Sequence, residues 1–307
     1  MSAVATGARA ASHLAGALAI ALTALLWSGG GLFFRWLESA HPWPILIWRY
    51  LAVMLFFAGI ILWRRRGRLF PIWGDLGWKA IPGALCFTGA SVFFLFALDR
   101  TTVFNALMML SVQPLLAAGL AWVALREPVK PATWIAMALA GAGIFLMVRD
   151  SLEGGGFIGN LFALASSLCF AAYTVFNRAV GAVDTAPLVL LGGLFGVIIS
   201  LAMSTSAGYA LYVGLHDILL CVLMSLLLGV GFVLFNWGVR LVPSAEALVL
   251  AQTEVIFGPL WVWLVFAERP SDAALLGGAV LFCAVLVQAV GGIRRKARVV
   301  PPPAEQP

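Results

Sequence analysis

Residues 101–127 read TTVFNALMMLSVQPLLAAGLAWVALRE, and 141 positions later residues 242–268 read VPSAEALVLAQTEVIFGPLWVWLVFAE. Without a gap, Ala106, Leu107, Trp122 and Glu127 fall on Ala247, Leu248, Trp263 and Glu268. Carried outward, the same shift sets Leu85, Val92, Phe94 and Ala138 on Leu226, Val233, Phe235 and Ala279. Toward the start of each half it drifts to 142 or 143, matching Ala21-Leu22 with Ala163-Leu164, Arg35 with Arg178 and Pro44 with Pro187. Single identities between apolar segments are common by chance, but a colinear run with a Trp and a Glu in register indicates an internal duplication.

The chain around this repeat is too apolar for water. Of 307 residues, 63% are hydrophobic and only 10% charged, with a mean hydropathy of +1.03. A soluble fold needs roughly a quarter of its residues charged, so a soluble enzyme, a disordered chain and a nucleic-acid binder are all excluded. The formal charge of +6 comes from basic residues lying between apolar stretches, and it bears on membrane orientation, not on nucleic acid. Cys86, Cys169, Cys221 and Cys283 each lie within an apolar stretch with no CxxC or Cys/His spacing, as small hydrophobes do.

A bilayer core of about 30 Å takes about 20 apolar residues per helix. That length predicts ten spans, near 14–37, 43–63, 76–98, 101–125, 131–149, 156–179, 186–206, 214–239, 244–267 and 271–293. Arg9 before an apolar run resembles the start of a secretory signal, but the run is long enough to be a retained first span. The expected organisation is a cytoplasmic segment 1–13, a first repeat 14–149, a second repeat 150–293 and a basic, proline-rich, disordered tail 294–307. With both termini inside, Arg35, Arg100, Arg149 and Arg269 are the outer basic residues and Arg49 alone lies within a span. The other fourteen of nineteen fall on the cytoplasmic side, the bias expected because basic loops resist translocation. Five spans per copy is an odd number, so the second copy enters the membrane from the opposite side. Inverted repeats of this kind characterise secondary transporters, with a site near mid-membrane between the copies.

Ten spans in two five-helix halves resemble the drug/metabolite transporter superfamily, in its bacterial branch of paired EamA-type domains, over roughly residues 14–293. The resemblance rests on Leu-Leu-Trp-Ser at 25–28, Arg49-Tyr50-Leu51, Val112-Gln113-Pro114, Arg126-Glu127-Pro128 and Glu268-Arg269-Pro270. One departure is Glu254-Val255, where the family often has an acidic residue followed by proline, which leaves a kink there without its usual cause. The resemblance implies an inner-membrane carrier that exports amino acids or related compounds, driven by the proton gradient or by the substrate's own gradient.

A charged side chain within a span is costly, so each is a functional candidate. Glu254 lies ten residues into the ninth span, about 15 Å along it at 1.5 Å per residue, and its repeat mate is Gln113 in the fourth. Together they offer one titratable and one neutral polar group, and a carboxyl taken out of water is suited to proton coupling. The alternative for Glu254 is a purely structural hydrogen-bonding role. Asn105 and Glu246 are also mates, completing stripes Asn105, Met109, Val112, Gln113 and Glu246, Leu250, Thr253, Glu254 that are expected to face the interior. For Glu246, capping with Ser244 competes with substrate contact.

Arg49, six residues into the second span, lies within snorkelling distance of the outer surface and could pair with a headgroup, a carboxylate or an anionic substrate, snorkelling or structural pairing being favoured. Trp27, Tyr173 and Trp237, with Asn177 and Asn236, are further cavity candidates; for Tyr173 and Trp237 an interfacial aromatic belt competes. Gly29-Gly30-Gly31, Gly141, Gly143 and Gly277-Gly278 suit close helix approach, and the first run also a hinge. Glu127 and Glu268 read as contacts at helix ends.

No Walker A sequence is present, His13, His41 and His216 are dispersed, and no Ser/His/Asp set falls at one depth. No catalytic residue, metal or cofactor is therefore expected. The partners expected are a small-molecule substrate and the lipid bilayer, with a homodimer left open. An amphipathic substrate would be held by Gln113, Glu254 and Asn105 against Trp27, Tyr173 and Trp237. A nutrient or vitamin importer on the same scaffold is the alternative, and a lipid-handling membrane enzyme a more distant one.

Overall fold

The computed structural model describes residues 2–39, 41–64, 80–126, 129, 131–154, 156–180, 186–242, 247 and 250–296. Among them the elements are helical: α1 Ser2–Arg35, α2 Pro42–Arg64, α3 Ala80–Arg100, α4 Val103–Leu110, α5 Gln113–Leu125, α6 Pro131–Gly154, α7 Phe157–Val180, α8 Ala186–Ser206, α9 Leu215–Gly238, α10 Thr253–Phe266 and α11 Asp272–Lys296. Four prolines fall where a missing N–H costs nothing, Pro42 and Pro44 in the first turn of α2, Pro131 opening α6 and Pro187 in the first turn of α8, whereas Pro259 lies inside α10. Eight stretches are long and apolar enough to cross a membrane, the fourth running through α4 and α5. The shorter apolar helices Thr253–Phe266 and Asp272–Gln288 stand where the ninth and tenth spans are expected.

Several expected boundaries move. Helix α1 starts at Ser2, so the segment before the first span is helical, and α6 runs past 149 to Gly154. Of the tail, Arg294 to Lys296 finish α11, while 297–307 lie outside the described residues. So do the basic stretch 65–79, Glu127-Pro128, Ser244 and Glu246.

The two copies interleave. Helix α1 packs on α9 and α10, and its repeat counterpart α7 packs on α3, α4 and α5. The pairs α2·α9 and α8·α3 are likewise exchanged by swapping the halves, while α2·α8 and α6·α11 map onto themselves. This is the contact pattern of a pseudo-two-fold axis between the copies. The contact between α6 and α11 is a backbone one: a Cβ on Gly143 would stand 2.8 Å from the carbonyl oxygen of Gly277, and one on Gly277 the same distance from that of Gly143. Small residues there let the backbones meet, as expected where apolar burial does not distinguish helix from lipid. Around Gly141 nothing lies within 4 Å, so that glycine is not part of the contact. The Gly29-Gly30-Gly31 run stays within continuous helix, with Gly31 against Val103 and Gly30 open.

One end of the bundle is laced by polar contacts. Arg35, at the end of α1, donates from Nε to Glu268 Oε2 at 2.8 Å and from Nη1 and Nη2 to the carbonyls of Leu98 and Thr101 at 2.8 and 2.9 Å. Glu268 Oε1 accepts from Val103 N at 2.7 Å. Thr101 Oγ1 also reaches Asn160, in the first turn of α7, at 3.1 Å, so α7 begins at the face where its repeat mate α1 ends. At the same face the buried Asp217 accepts from the backbone N–H groups of Glu38 and Ser39 at 3.0 and 2.8 Å.

Candidate functional site

The fourth span breaks at Ser111-Val112, between α4 and α5. Pro114 lacks the N–H that would reach back to Leu110, and the Ser111 hydroxyl takes up the Met108 carbonyl at 2.7 Å. A three-residue bond from Leu115 N to Val112 O at 2.9 Å restarts the helix as α5. The ninth span has the matching break at Gln252, where Thr253 Oγ1 donates to Leu250 O at 2.7 Å and Val255 N to Gln252 O at 3.1 Å. No proline stands at 255, yet the interruption is present. The hydroxyl and the tightened turn serve it in both copies. The copies also end alike: Arg126 after α5 and Ala267 after α10 are left-handed caps, with φ of 55° and 54°.

These breaks put Gln113 at the start of α5 and Glu254 in the first turn of α10, each aimed at the interior. Both line two adjoining cavities, of about 170 and 720 Å³, with Trp27, Leu110, Phe170 and Phe232 as further shared walls. The smaller adds Arg49, Ser91 and Phe87. The larger adds Tyr173, Asn177, Asn236, Gln252 and Gln288 and reaches the last turns of α7 and α9, away from the Arg35–Glu268 end.

Trp27 is set by its neighbours. Its Nε1 donates to Leu228 O at 3.2 Å, its ring meets Phe232 edge-on at 5.1 Å, and it lies directly over Gly231, where a Cβ would collide with the indole. Ser28 beside it accepts from Trp261 Nε1 at 3.0 Å, tying α1 to α10. Tyr173 is 3% exposed, with its ring 5.5 Å from Phe87 and 5.7 Å from Phe170. Gln288 donates to the Pro114 carbonyl at 3.2 Å, satisfying an acceptor at the break.

Gln113, Glu254, Trp27 and Tyr173 are thus brought together, along with Asn177 and Asn236. Two expected residues are not. Asn105 is buried in the first turn of α4, where its N–H meets Thr102 Oγ1 at 3.2 Å and its Nδ2 meets Thr101 Oγ1 at 3.3 Å; it lines neither cavity. The polar stripe assumed an unbroken helix, and the turn at Ser111-Val112 separates Asn105 from Gln113. Trp237 is 49% exposed on the outside of α9, as an aromatic belt residue would be. Its neighbour Asn236 lines the cavity instead.

Arg49 departs from expectation in the other direction. Its guanidinium does not snorkel; it lines the smaller cavity, with Nε and Nη1 buried and without a hydrogen-bond partner among the described residues. Ser91, Gln252 and Gln288 were not anticipated, although a Gln within a strongly apolar span is itself a signal that could have found the last two. Glu268, read as a helix-end contact, is one: it holds Arg35 and Val103 N.

The EamA-like transporter family matches residues 14–149 and 157–289, one match to each copy. An uncharacterized transporter of Bacillus subtilis (strain 168), YwfM, is 25% identical over 222 residues, covering 66% of this chain and 70% of that protein. A protein of known crystal structure superposes with a TM-score of 0.62 at 18% identity, covering 93% of this chain and 99% of its own, which supports the fold alone. With both halves matched and the broken helices meeting at a central cavity, the chain belongs to the EamA-like transporter family.

Proposed function

We propose that this membrane transporter is a secondary carrier that moves a small metabolite, an amino acid or related amphipathic compound, outward across the bacterial inner membrane by alternating access. The observation that carries this reading is the pair of matched helix breaks presenting Gln113 and Glu254 to two adjoining cavities between the copies, in a bundle tied together at one end by Arg35 and Glu268. Discontinuous helices meeting at the interface of two repeats are how carriers build a mid-membrane site. The repeats are inverted: mates α1 and α7 run in opposite senses relative to the Arg35 face, and an odd number of spans per copy requires it. By the distribution of Lys and Arg, the laced end faces outward and both termini are cytoplasmic. Glu254 is the proton-coupling group, its carboxyl facing the cavity with no ion-pair partner among the described residues.

The test is solute counterflow in proteoliposomes. Vesicles preloaded with unlabelled amino acids should accumulate the labelled compound transiently, with no chemical change to it. Everted membrane vesicles energised with a proton gradient should concentrate the same compound, whereas concentration by right-side-out vesicles alone would favour the importer. Chemical conversion of the solute, or no counterflow with any tested metabolite, would overturn the reading.

A further inference from the structure

The geometry points to Arg49 as the anchor for the anionic end of a net-neutral, zwitterionic substrate whose donor end faces Glu254. This rests on the central cavity being the transport site, and adds the charge pattern of what the cavity takes.

Helix α2 is held firmly where Arg49 leaves it. Tyr50 donates to Thr88 O at 2.6 Å, Thr88 Oγ1 to Gly192 O at 2.7 Å, and Ser225 Oγ to the Arg49 carbonyl at 3.0 Å. The Tyr50 ring lies against Gly196, leaving α2 no room to slide on α8. With its backbone pinned by α3, α8 and α9, the Arg49 side chain has the smaller cavity to enter. Nε and Nη1 are buried there with no hydrogen-bond partner among the described residues. An unpaired charge out of water is strongly unfavourable, and a stability role would have supplied a carboxylate.

Among the described residues the one carboxylate on the walls of the same cavity does not serve. Arg49 and Glu254 are the charged residues on its walls among those described, and no ion pair joins them. Gln113, Ser91 and Ser166, all neutral, complete the polar lining. A cavity with one positive and one negative group held apart is complementary to a molecule with the opposite dipole. The planar guanidinium fork matches a carboxylate with two parallel hydrogen bonds. An ammonium then faces Glu254, and Trp27, Phe87 and Phe232 offer apolar area to the remainder. A dianionic phosphate ester would leave excess negative charge beside Glu254, and a cation without an acid group would leave Arg49 unpaired.

The test uses matched compounds on the full-length protein in detergent and in proteoliposomes: the α-amino acids, their carboxamides and their deaminated acids. Binding is read by thermal stabilisation, since a ligand that prefers the native state raises apparent stability by mass action. Wild type should be stabilised by at least one free amino acid, and its carboxamide should bind roughly tenfold or more weakly, as loss of a charge-assisted bidentate contact requires. Arg49→Lys, which keeps charge without the fork, should weaken the acid and leave the amide unchanged. Arg49→Gln should abolish the discrimination between them. The wild-type comparison of acid with amide decides the matter even if a variant does not fold. Equal binding of acid and amide, or no binding by any carboxylate in the panel, overturns the anchor. Counterflow of a non-anionic solute in the same vesicles would then leave the transport reading standing, whereas absence of all counterflow would remove both.

Discussion

At the residue scale, the site turns on which side chains meet the cavity. Gln113 and Glu254 could be paired in advance because the repeat aligns them, and both reach the interior. Replacing Glu254 with Gln keeps the shape and hydrogen-bonding capacity but removes the proton. Transport by Glu254→Gln vesicles should therefore become insensitive to pH, whereas the wild-type rate varies with it. An unchanged pH profile would make Glu254 a structural residue. Trp27 was legible from its depth beside the glycine run. Trp237 was not, since neither aromatic content nor position in a helix says which way the ring turns. Trp237→Phe, altering a ring that is half exposed outside the bundle, should leave counterflow within about twofold of wild type, as surface substitutions usually do. Arg49 was misjudged for a related reason: six residues from a helix end allows snorkelling, and only the packing of α2 against α3, α8 and α9 sends the guanidinium inward.

At the element scale, the decisive features are two helix breaks and two close approaches. Pro114 announces the first break, but nothing as explicit announces the second, which depends on Thr253 taking the Leu250 carbonyl. A continuous polar stripe was therefore the natural reading of 105–113, and the turn at Ser111-Val112 undoes it for Asn105. The glycine runs carried the opposite information. Gly143 and Gly277 mark a real contact, because no side chain fits between the two backbones. Gly277→Val should lower the unfolding temperature in detergent, by an overpacking cost of about 1–3 kcal/mol. The laced end offers a functional counterpart. Glu268 accepts from both Arg35 and Val103 N, so Glu268→Gln removes the ion pair and weakens the joint between α1, α4 and α10. In a background with Cys86, Cys169, Cys221 and Cys283 replaced, a cysteine at Ser91 should be labelled faster by an impermeant maleimide from the Arg35 side once Glu268→Gln is introduced. Equal labelling would mean that this ion pair does not hold the end closed.

At the scale of the whole molecule, apolar runs long enough to span the membrane, and a gapless shift of 141 residues, determined an all-helical duplicated protein before any contact was known. Those properties are written along the chain, because span length follows from bilayer thickness. The family follows from the same linear information, and its match to both copies agrees with it. What only the tertiary structure decided is how the copies interleave, α1 on α9 and α10 as α7 on α3, α4 and α5, and hence which polar groups share a cavity. In an apolar helix every face is equally compatible with lipid, so the sequence carries little rotational information. The facing of Arg49 inward, of Trp237 outward and of Asn105 toward Thr101 is set by small-residue contacts and backbone hydrogen bonds between helices distant in the chain.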